Sequence, residues 1–344
     1  MNLRSAGRVG IFTFVLLAVT VTSASAGKPG PGGGEADGRV FFPNPVATLQ
    51  DQSLTDQNDA DYAELQDAYE VVRLTNLDGS GYLRGDWANV LSSTGPLAFA
   101  SDNGFMYGRD DDRFEQVMAY FWVTEAQKYI QSLGFGDTLR SINMDSQDVR
   151  INQWGVDNSY SWDKKDVLRF GKGGVDDAED AEVILHEYGH AIQDSQQAPF
   201  GGFGTSPEAG AIGEGFGDYW AVTVSDVIAP TADPACVADW DSVSYTTKEP
   251  HCLRRVDQNL HYPEDLNGRV HHDGQIWSRA LWDIRNALGH VKADTIILHA
   301  QFSFAPDTSM PAAAQATVDA AGQLYGHAKA MVVESIFQAR GILP

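Results

Sequence analysis

Apolar and polar positions along the chain predict two regions of different character. Across residues 60–204, short apolar runs alternate with turn sequences such as Asp78–Gly81, a pattern typical of strands and hairpins. Across residues 205–344, apolar residues recur at helical spacing. The helices predicted there are Ile212–Val227, Gly274–Leu288, Ala293–Phe302, Ala312–Leu324 and Ala328–Arg340. We therefore expect an N-terminal α/β lobe that contains a sheet, a helical C-terminal lobe, and a functional cleft between them.

Two further helices are predicted inside the N-terminal lobe. One is Glu115–Leu133 and the other surrounds Val183–Ile192, and both have apolar residues at helical spacing. The second follows an acidic run whose carboxylates suit the N-terminal end of a helix, with Asp176 or Asp177 as the expected cap. The strands predicted to lead into this helix are Val149–Trp154 and Val167–Phe170.

Residues 1–26 have the pattern of a secretory signal peptide. Arg4 and Arg8 give a positive start, Val9–Val21 is mostly apolar, and Ala24–Ala26 is an Ala-x-Ala cleavage site. The apolar stretch is short for a membrane span, and no later stretch reaches 18 apolar residues. We therefore expect cleavage near the end of this site, secretion of the mature chain, and no stable membrane anchor.

Residues 27–59 are predicted to be a flexible or extended segment before the folded lobes. Gly27–Gly38 is rich in Gly and Pro, a composition typical of a linker that buries no core. Phe41–Asp51 is expected to run extended along the surface.

Charge and cysteine content narrow the functional classes further. The formal net charge of −23 at pH 7 keeps a protein soluble and opposes binding to nucleic acid or anionic membranes. Cys236 and Cys252 are the only cysteines. In an exported protein they are expected to form one disulfide bond, with a free pair or a metal-binding pair as the alternatives. We expect the protein to be a monomer.

Residues 186–190 read His-Glu-Tyr-Gly-His and carry the strongest chemical signal. Residues four apart share one face of a helix, so His186 and His190 can present two imidazoles to one metal ion. Glu187 lies beside them, where its carboxylate can accept a proton from a water molecule activated by the metal. The alternative is a helix with two surface histidines and a solvated glutamate. Gly189 either allows another segment close to this face or is a tolerated surface glycine.

A catalytic zinc ion needs a third protein ligand and one open position. The segment Gly213–Trp220 offers Glu214, which lies 24 residues after His190. Asp218 is four residues further on and shares a helical face with Glu214. A histidine ligand usually donates its other ring N–H to a carboxylate, and Asp218 is the natural candidate for that contact. The alternative is that both are ordinary acidic residues of an acidic protein.

Taken together, these motifs resemble those of gluzincin metallopeptidases. The pattern His-Glu-Tyr-x-His followed by Gly-Glu-Gly-x-x-Asp, here at 186–190 and 213–218, is similar to that of the fungalysin-type family and more distantly to that of the thermolysin type. The resemblance covers about residues 60–344. It implies a two-lobed α+β thermolysin-like fold, one catalytic Zn²⁺ and polypeptide substrates.

The same resemblance implies roles for residues outside the zinc motifs. Val270–Trp277 is similar to the family's Val-His-x-x-Gly-x-x-Trp segment, in which the histidine, here His271, stabilises the oxyanion of the tetrahedral intermediate. Asn158 and Ser159 resemble the edge-strand segment that holds the substrate backbone. Arg254, within Leu-Arg, resembles the arginine that contacts the substrate carbonyl. One departure is that the thermolysin type has an oxyanion-binding tyrosine at the position occupied here by Gly201.

The sequence therefore predicts a secreted zinc metalloendopeptidase with Glu187 as general base. One alternative is a zinc aminopeptidase, which would need a group that anchors the substrate's free amine. The other is a non-catalytic, zinc-stabilised binding protein, against which the intact Glu187 argues. Structural Ca²⁺ is not supported by a clear motif, because Asp78–Gly81 is better explained as a hairpin turn than as a calcium loop.

Overall fold

The computed structural model describes residues 34–92, 94–101, 104–196 and 206–344. The predicted signal peptide, residues 1–26, lies outside the described residues. So do residues 27–33 of the predicted linker and Gly201, the position at which the thermolysin type has its tyrosine.

The described residues form an α+β fold, as predicted. The α-helices are α1 (Pro45–Leu49), α2 (Arg113–Ser132), α3 (Ala181–Gln196), α4 (Pro207–Ile228), α5 (Val270–Leu288), α6 (His290–Gln301), α7 (Met310–Tyr325) and α8 (His327–Ala339). The strands are β1 (Gly34–Phe41), β2 (Tyr69–Leu77), β3 (Ala88–Leu91), β4 (Gln147–Arg150), β5 (Tyr160–Trp162), β6 (Val167–Arg169), β7 (Cys236–Val237) and β8 (Arg254–Arg255). The strands up to β6 precede α3, and α4 to α8 follow it.

A four-stranded sheet in the N-terminal region leads into the helix that carries the His-Glu-x-x-His motif. Its strand order is β3-β4-β6-β5, in which β3, β4 and β6 are parallel and β5 is antiparallel to β6. Val149 of β4 lies beside Val90 and Leu168, and all three are buried. Strand β5 is therefore an edge strand, and it contacts α3.

The prediction of a flexible or extended segment from 27 to 59, with no contribution to the core, is wrong for residues 34–49. Gly34–Phe41 is a strand that pairs antiparallel with β2, and Pro45–Leu49 is a helix. Phe41 is fully buried rather than extended along the surface. The glycines that suggested a linker permit close packing, since a Cβ at Gly38 would lie 2.9 Å from the side chains of Leu74 and Val117.

The start of α3 differs in detail from the prediction. Asp180, rather than Asp176 or Asp177, caps the helix, because its Oδ1 accepts the N–H of Glu182 at 2.9 Å. Its Oδ2 accepts the backbone N–H groups of Trp240 and Asp241. Asp180 therefore joins the beginning of α3 to the segment after β7.

The helical C-terminal region follows the predicted elements closely. Helix α4 packs between α3 and α5, and one apolar core extends from the β1–β2 pair to α8. The main differences are at two helix starts: α4 begins at Pro207 and not at Ile212, and α5 begins at Val270 and not at Gly274. Among the described residues, no helix combines the length and the apolar character needed to cross a membrane.

The Asp78–Gly81 segment is a turn, as the sequence favoured. Asp78 Oδ1 accepts the N–H of Ser80 at 2.8 Å, and Gly79 and Gly81 both have positive φ angles. This hydrogen bond is typical of an aspartate that stabilises its own turn.

Candidate active site

Helices α3 and α4 bring the three predicted zinc ligands to one point. Nε2 of His186 lies 3.3 Å from Oε2 of Glu214, and Nε2 of His190 lies 3.9 Å from Oε1 of Glu214. One ligand atom from each residue lies within 4.8 Å of the others. Zinc bonds of about 2.0–2.1 Å in a tetrahedral arrangement place neighbouring ligand atoms roughly 3.3–3.4 Å apart. The two histidines and one carboxylate therefore fit a zinc ion in kind, and the 3.3 Å between His186 and Glu214 matches this spacing.

The carboxylate of Glu214 provides an independent test of that fit. Glu214 is 2% exposed, and its Oε2 accepts no hydrogen bond among the described residues. The imidazoles of His186 and His271 come within 3.3 and 3.2 Å of this oxygen. A buried carboxylate oxygen without a hydrogen bond is costly, and a cation held between these groups would satisfy it.

The electrostatics of the three ligands also favour a cation. Burial alone would raise the pKa of Glu214, but His186 and His190 bring that pKa down to about 2. Burial alone would lower the pKa of His186, but Asp218 and Glu214 raise it to about 10. The carboxylates therefore stabilise positive charge among these side chains, and a metal dication is one source of it.

Asp218 links His186, a predicted zinc ligand, to Arg254. Its Oδ1 lies 3.0 Å from Nδ1 of His186, and the two oxygens accept hydrogen bonds of 2.7 Å from Nε and Nη2 of Arg254. Although burial opposes it, Arg254 and His186 hold the pKa of Asp218 below its usual range. A carboxylate that contacts one nitrogen of an imidazole ring fixes the direction in which the second nitrogen points. Here Nε2 of His186 faces Glu214, as ligation requires.

Glu187 lies on the cleft side of α3. It is buried, it lines the same cavity as His186 and His271, and its Oε2 has no hydrogen-bond partner among the described residues. Burial raises the pKa of the Glu187 carboxyl above its ordinary value, and the neighbouring histidines oppose that shift. A carboxylate with a free oxygen in a cleft is available to a substrate or to a water molecule.

Comparison with known proteins agrees with this geometry. The model of the fungalysin metallopeptidase (M36) family matches residues 153–320, which include the three ligands, Glu187, Asp218 and His271. The match covers 168 of the 344 residues and, together with the geometry of the site, supports a fungalysin-type zinc metallopeptidase. Zinc as the metal and polypeptides as the substrates are implied by that family.

The fold of this fungalysin-type peptidase is also found in a solved structure. The precursor of protealysin, a metalloproteinase from Serratia proteamaculans, is similar with a TM-score of 0.56 and 18% sequence identity. The similarity covers 74% of this chain and 85% of that chain. It supports the predicted two-lobed, thermolysin-like α+β architecture. No curated protein sequence matches the chain.

The two adjacent histidines of the peptidase have different surroundings. Nε2 of His271 lies 3.2 Å from Glu214 Oε2, whereas Nδ1 of His272 lies 3.2 Å from Asp273 Oδ1. The predicted helix, Gly274–Leu288, begins after both histidines, but both lie in the first turn of α5. They diverge because successive residues of a helix point about 100° apart. His271 thus faces the candidate zinc site and His272 does not.

Asn158 and Ser159 stand immediately before the edge strand β5 and line the cleft beside Glu187. The Ser159 hydroxyl donates a hydrogen bond to Asp177. Because β5 has β6 on one side only, its other edge can pair with an extended peptide.

The predicted disulfide bond between Cys236 and Cys252 is present. The strands beside it pair Cys236 with Arg255 and Val237 with Arg254. The cross-link therefore fixes the segment from which Arg254 reaches Asp218.

Two glycines, Gly189 and Gly217, allow α3 and α4 to pack closely against each other. A Cβ at Gly189 would lie 3.1 Å from the Cα of Gly217, so α3 and α4 approach closely where the ligands stand. A Cβ at Gly217 would lie 2.8 Å from the imidazole of His186. Gly217 was part of the Gly-Glu-Gly-x-x-Asp motif, but only the packing of α4 against α3 shows what its small size permits.

Substitution of Gly217 tests this packing. In Gly217→Ala the new methyl group should displace the His186 imidazole, and we expect zinc affinity and activity to fall by about 10- to 100-fold, the usual effect of losing support for a ligand. Zinc titration and peptide hydrolysis measure both. Gly322→Ala in α7 is the matched control, because its Cβ would make an ordinary contact of 3.6 Å with Ala330. Full zinc affinity in Gly217→Ala would contradict this account of the helix crossing.

Proposed function

We propose that this protein is a secreted endopeptidase in which His186, His190 and Glu214 hold the catalytic zinc ion and Glu187 is the general base. The observation that carries the proposal is the convergence of three ligand atoms within 4.8 Å of one another, in a cavity that Glu187 also lines. Zinc bound there would supply a Lewis acid that polarises a carbonyl group and makes a water molecule more acidic.

Glu187 is suited to move the proton in this reaction. The free oxygen of its carboxylate can accept a proton from the attacking water and later deliver it to the leaving amine. Its burial favours the first step, because a carboxyl group with a raised pKa accepts a proton more readily than a solvated one. A purely structural zinc site would have no use for such a group.

Two side chains are placed to stabilise negative charge on the carbonyl oxygen. His271 projects toward Glu214, and its side chain is 56% exposed to the cleft and solvent, so its Nε2 is accessible to a substrate. Arg254 lines the same cavity, and its Nη1 takes no part in the bidentate pair with Asp218. Preorganised donors of this kind act mainly in the transition state.

The adjacent histidines provide a sharp test of this role. His271→Ala should lower turnover by roughly 10²–10³-fold, the usual scale for loss of an oxyanion donor, with little change in zinc content. His272→Ala is the matched control, and it should have a much smaller effect because its ring faces Asp273. Steady-state kinetics on one blocked peptide compare the two variants. Equal losses, or a larger loss for His272→Ala, would exclude the oxyanion role of His271.

The substrate is expected to bind as an extended chain along β5. Asn158 and the backbone of Ser159 lie where the edge strand meets the cleft, and addition of a strand to an exposed edge is a common way to hold a peptide. An Asn158→Ala variant should raise KM for long peptides more than for dipeptides. An equal effect on both would argue against this alignment.

Hydrolysis of a peptide blocked at both ends tests the endopeptidase proposal. The protein should cleave such a peptide, lose this activity to a zinc chelator, and regain it when zinc is added back. An aminopeptidase would cut only peptides with a free amino terminus, and a non-catalytic binding protein would leave all peptides intact. Either result would overturn the proposal.

We also propose that the chain is exported and acts as a monomer. The disulfide bond is typical of exported proteins, and the predicted signal peptide, although outside the described residues, has the charge and apolar pattern of a secretory leader. N-terminal sequencing of protein from the medium should begin at about Gly27, and light scattering should give the mass of one chain. A retained leader or a larger mass would contradict these points.

A further inference from the structure

A cavity with unpaired acidic groups opens beside the candidate zinc ligands. It contains about 510 Å³ of empty space, part of it open to solvent. His186, Glu187 and His271 line one part of it, and Asp177 and Asp241 line another. A substrate side chain that enters this cavity therefore belongs to a residue close to the scissile bond.

The two aspartates are almost fully buried. Asp177 is 2% exposed and Asp241 is 3% exposed, and the Oδ1 atom of each has no hydrogen-bond partner among the described residues. A third carboxylate, that of Asp157, has an oxygen within 4.8 Å of theirs. A buried carboxylate oxygen without a partner costs free energy, and three such groups together repel one another.

The hydrogen bonds and cations around these three carboxylates do not neutralise them. Ser159 donates to Asp177 Oδ2, and Tyr245 donates to Asp157. The guanidinium of Arg254, which lines the same cavity, is committed to Asp218 by two hydrogen bonds. Burial raises the pKa of Asp177 to about 7 and raises the pKa of Asp241 well above its usual range. A cation placed between them would stabilise both ionised forms.

We propose that this cavity is a specificity pocket for a basic substrate side chain, lysine or arginine, next to the peptide bond that is cut. The inference rests on the endopeptidase function proposed above. Val183, Val237 and Leu253 line the cavity and offer apolar contact to the aliphatic stem of such a side chain. Asp177 and Asp241 then accept hydrogen bonds from its charged end, for which a guanidinium with five donors is well suited.

A metal ion is a poorer match to the same aspartates. Calcium takes six to eight oxygen ligands, whereas this cluster has three carboxylates, two of which already accept hydrogen bonds from Ser159 and Tyr245. The cavity also continues to His186 and Glu187. A pocket that joins the reacting centre is better placed to select a substrate than to hold a structural ion.

A set of blocked peptides tests the proposal. The peptides are identical except at the two residues that flank a single cleavable bond, where Lys, Arg, Leu, Gln and Glu are compared. At one of these two positions, wild-type protein should cleave the Lys or Arg peptide with a kcat/KM at least about tenfold above that for the Leu peptide. A factor of this size is expected because a buried charge that is paired with a carboxylate binds much more tightly than an apolar side chain at the same place. Glu should be the poorest substrate.

Substitution of the aspartates should reduce this preference. Asp177→Asn and Asp241→Asn should each lower the ratio of kcat/KM for Lys or Arg to that for Leu by at least about tenfold. The ratio is measured within one protein, so a general loss of folded enzyme cancels. Asp137→Asn is the matched control, because Asp137 is exposed and does not line the cavity. It removes the same charge and should leave the ratio unchanged.

The possible failures are distinguishable. If wild-type protein cuts the Leu peptides as well as or better than the basic ones, the pocket is not specific for a cation, although the endopeptidase function stands. If calcium raises the melting temperature of wild-type protein but not of Asp177→Asn, and no basic preference is seen, the aspartates form a metal site and the inference is wrong. If only peptides with a free amino terminus are cut, the carboxylates bind an α-amine and the endopeptidase function fails first.

Discussion

Replacement of Glu187 by glutamine should abolish most of the turnover while leaving the zinc content of the protein unchanged. Glutamine is nearly isosteric with glutamate but cannot accept a proton from water. We expect turnover to fall by about 10²–10⁴-fold, the usual scale of general acid–base catalysis. Zinc should stay bound because His186, His190 and Glu214 form the ligand set without Glu187. Metal analysis and steady-state kinetics on the same preparation measure both quantities.

The control for this variant is Glu64→Gln, which removes the same charge from an exposed position. Its kinetics should match those of the wild-type protein. Near-normal turnover in Glu187→Gln would mean that another group accepts the proton, and loss of zinc would mean that Glu187 belongs to the ligand set instead.

Removal of a ligand should have the largest effect of all. His190→Ala is the cleaner choice, because His186 is also held by Asp218, whereas the imidazole of His190 lies against Glu214 and His186 and its side chain is 15% exposed. We expect zinc to fall well below one ion per chain and peptide hydrolysis to become undetectable, since two remaining ligands hold zinc weakly. His327→Ala, at an exposed position in α8, should leave both unchanged.

A folded His190→Ala protein with full zinc content would show that the ligand set is wrong. Circular dichroism separates this result from unfolding. We expect the variant to fold. The carboxylate of Glu214 loses the imidazole of His190, but it still has those of His186 and His271 within 3.3 and 3.2 Å.

The helices of this protein could be predicted from its sequence, because the spacing of apolar residues within one helix is a local property. A helix such as α2 shows its buried face at fixed spacing, and the His-Glu-x-x-His spacing alone puts two imidazoles on one face of α3. The prediction that Glu214 would join them came from its spacing to Asp218 on a predicted helix, and the resemblance to known metallopeptidases supported it. No local rule indicates which acidic residue, 24 positions downstream, packs against α3.

The errors arose where tertiary packing decides the outcome. The glycine-rich start of β1 has the composition of a linker, but Gly38 is required by the contact with Leu74 and Val117. The helix predicted from Gly274 begins four residues earlier, at Val270, where no side chain caps it. The acidic pocket could not be predicted from the sequence. Asp177 and Asp241 are 64 residues apart in the chain, and only the fold brings them together.

Titration of zinc into the metal-free protein is the most direct test of the central claim. Hydrolysis of a blocked peptide should rise in proportion to added zinc and reach its plateau at one ion per chain. Glu187→Gln should bind the same single ion without gaining activity, and His190→Ala should gain neither. Full activity in the metal-free protein, or a Glu187→Gln protein that reaches the wild-type plateau, would contradict a zinc endopeptidase centred on His186, His190, Glu214 and Glu187.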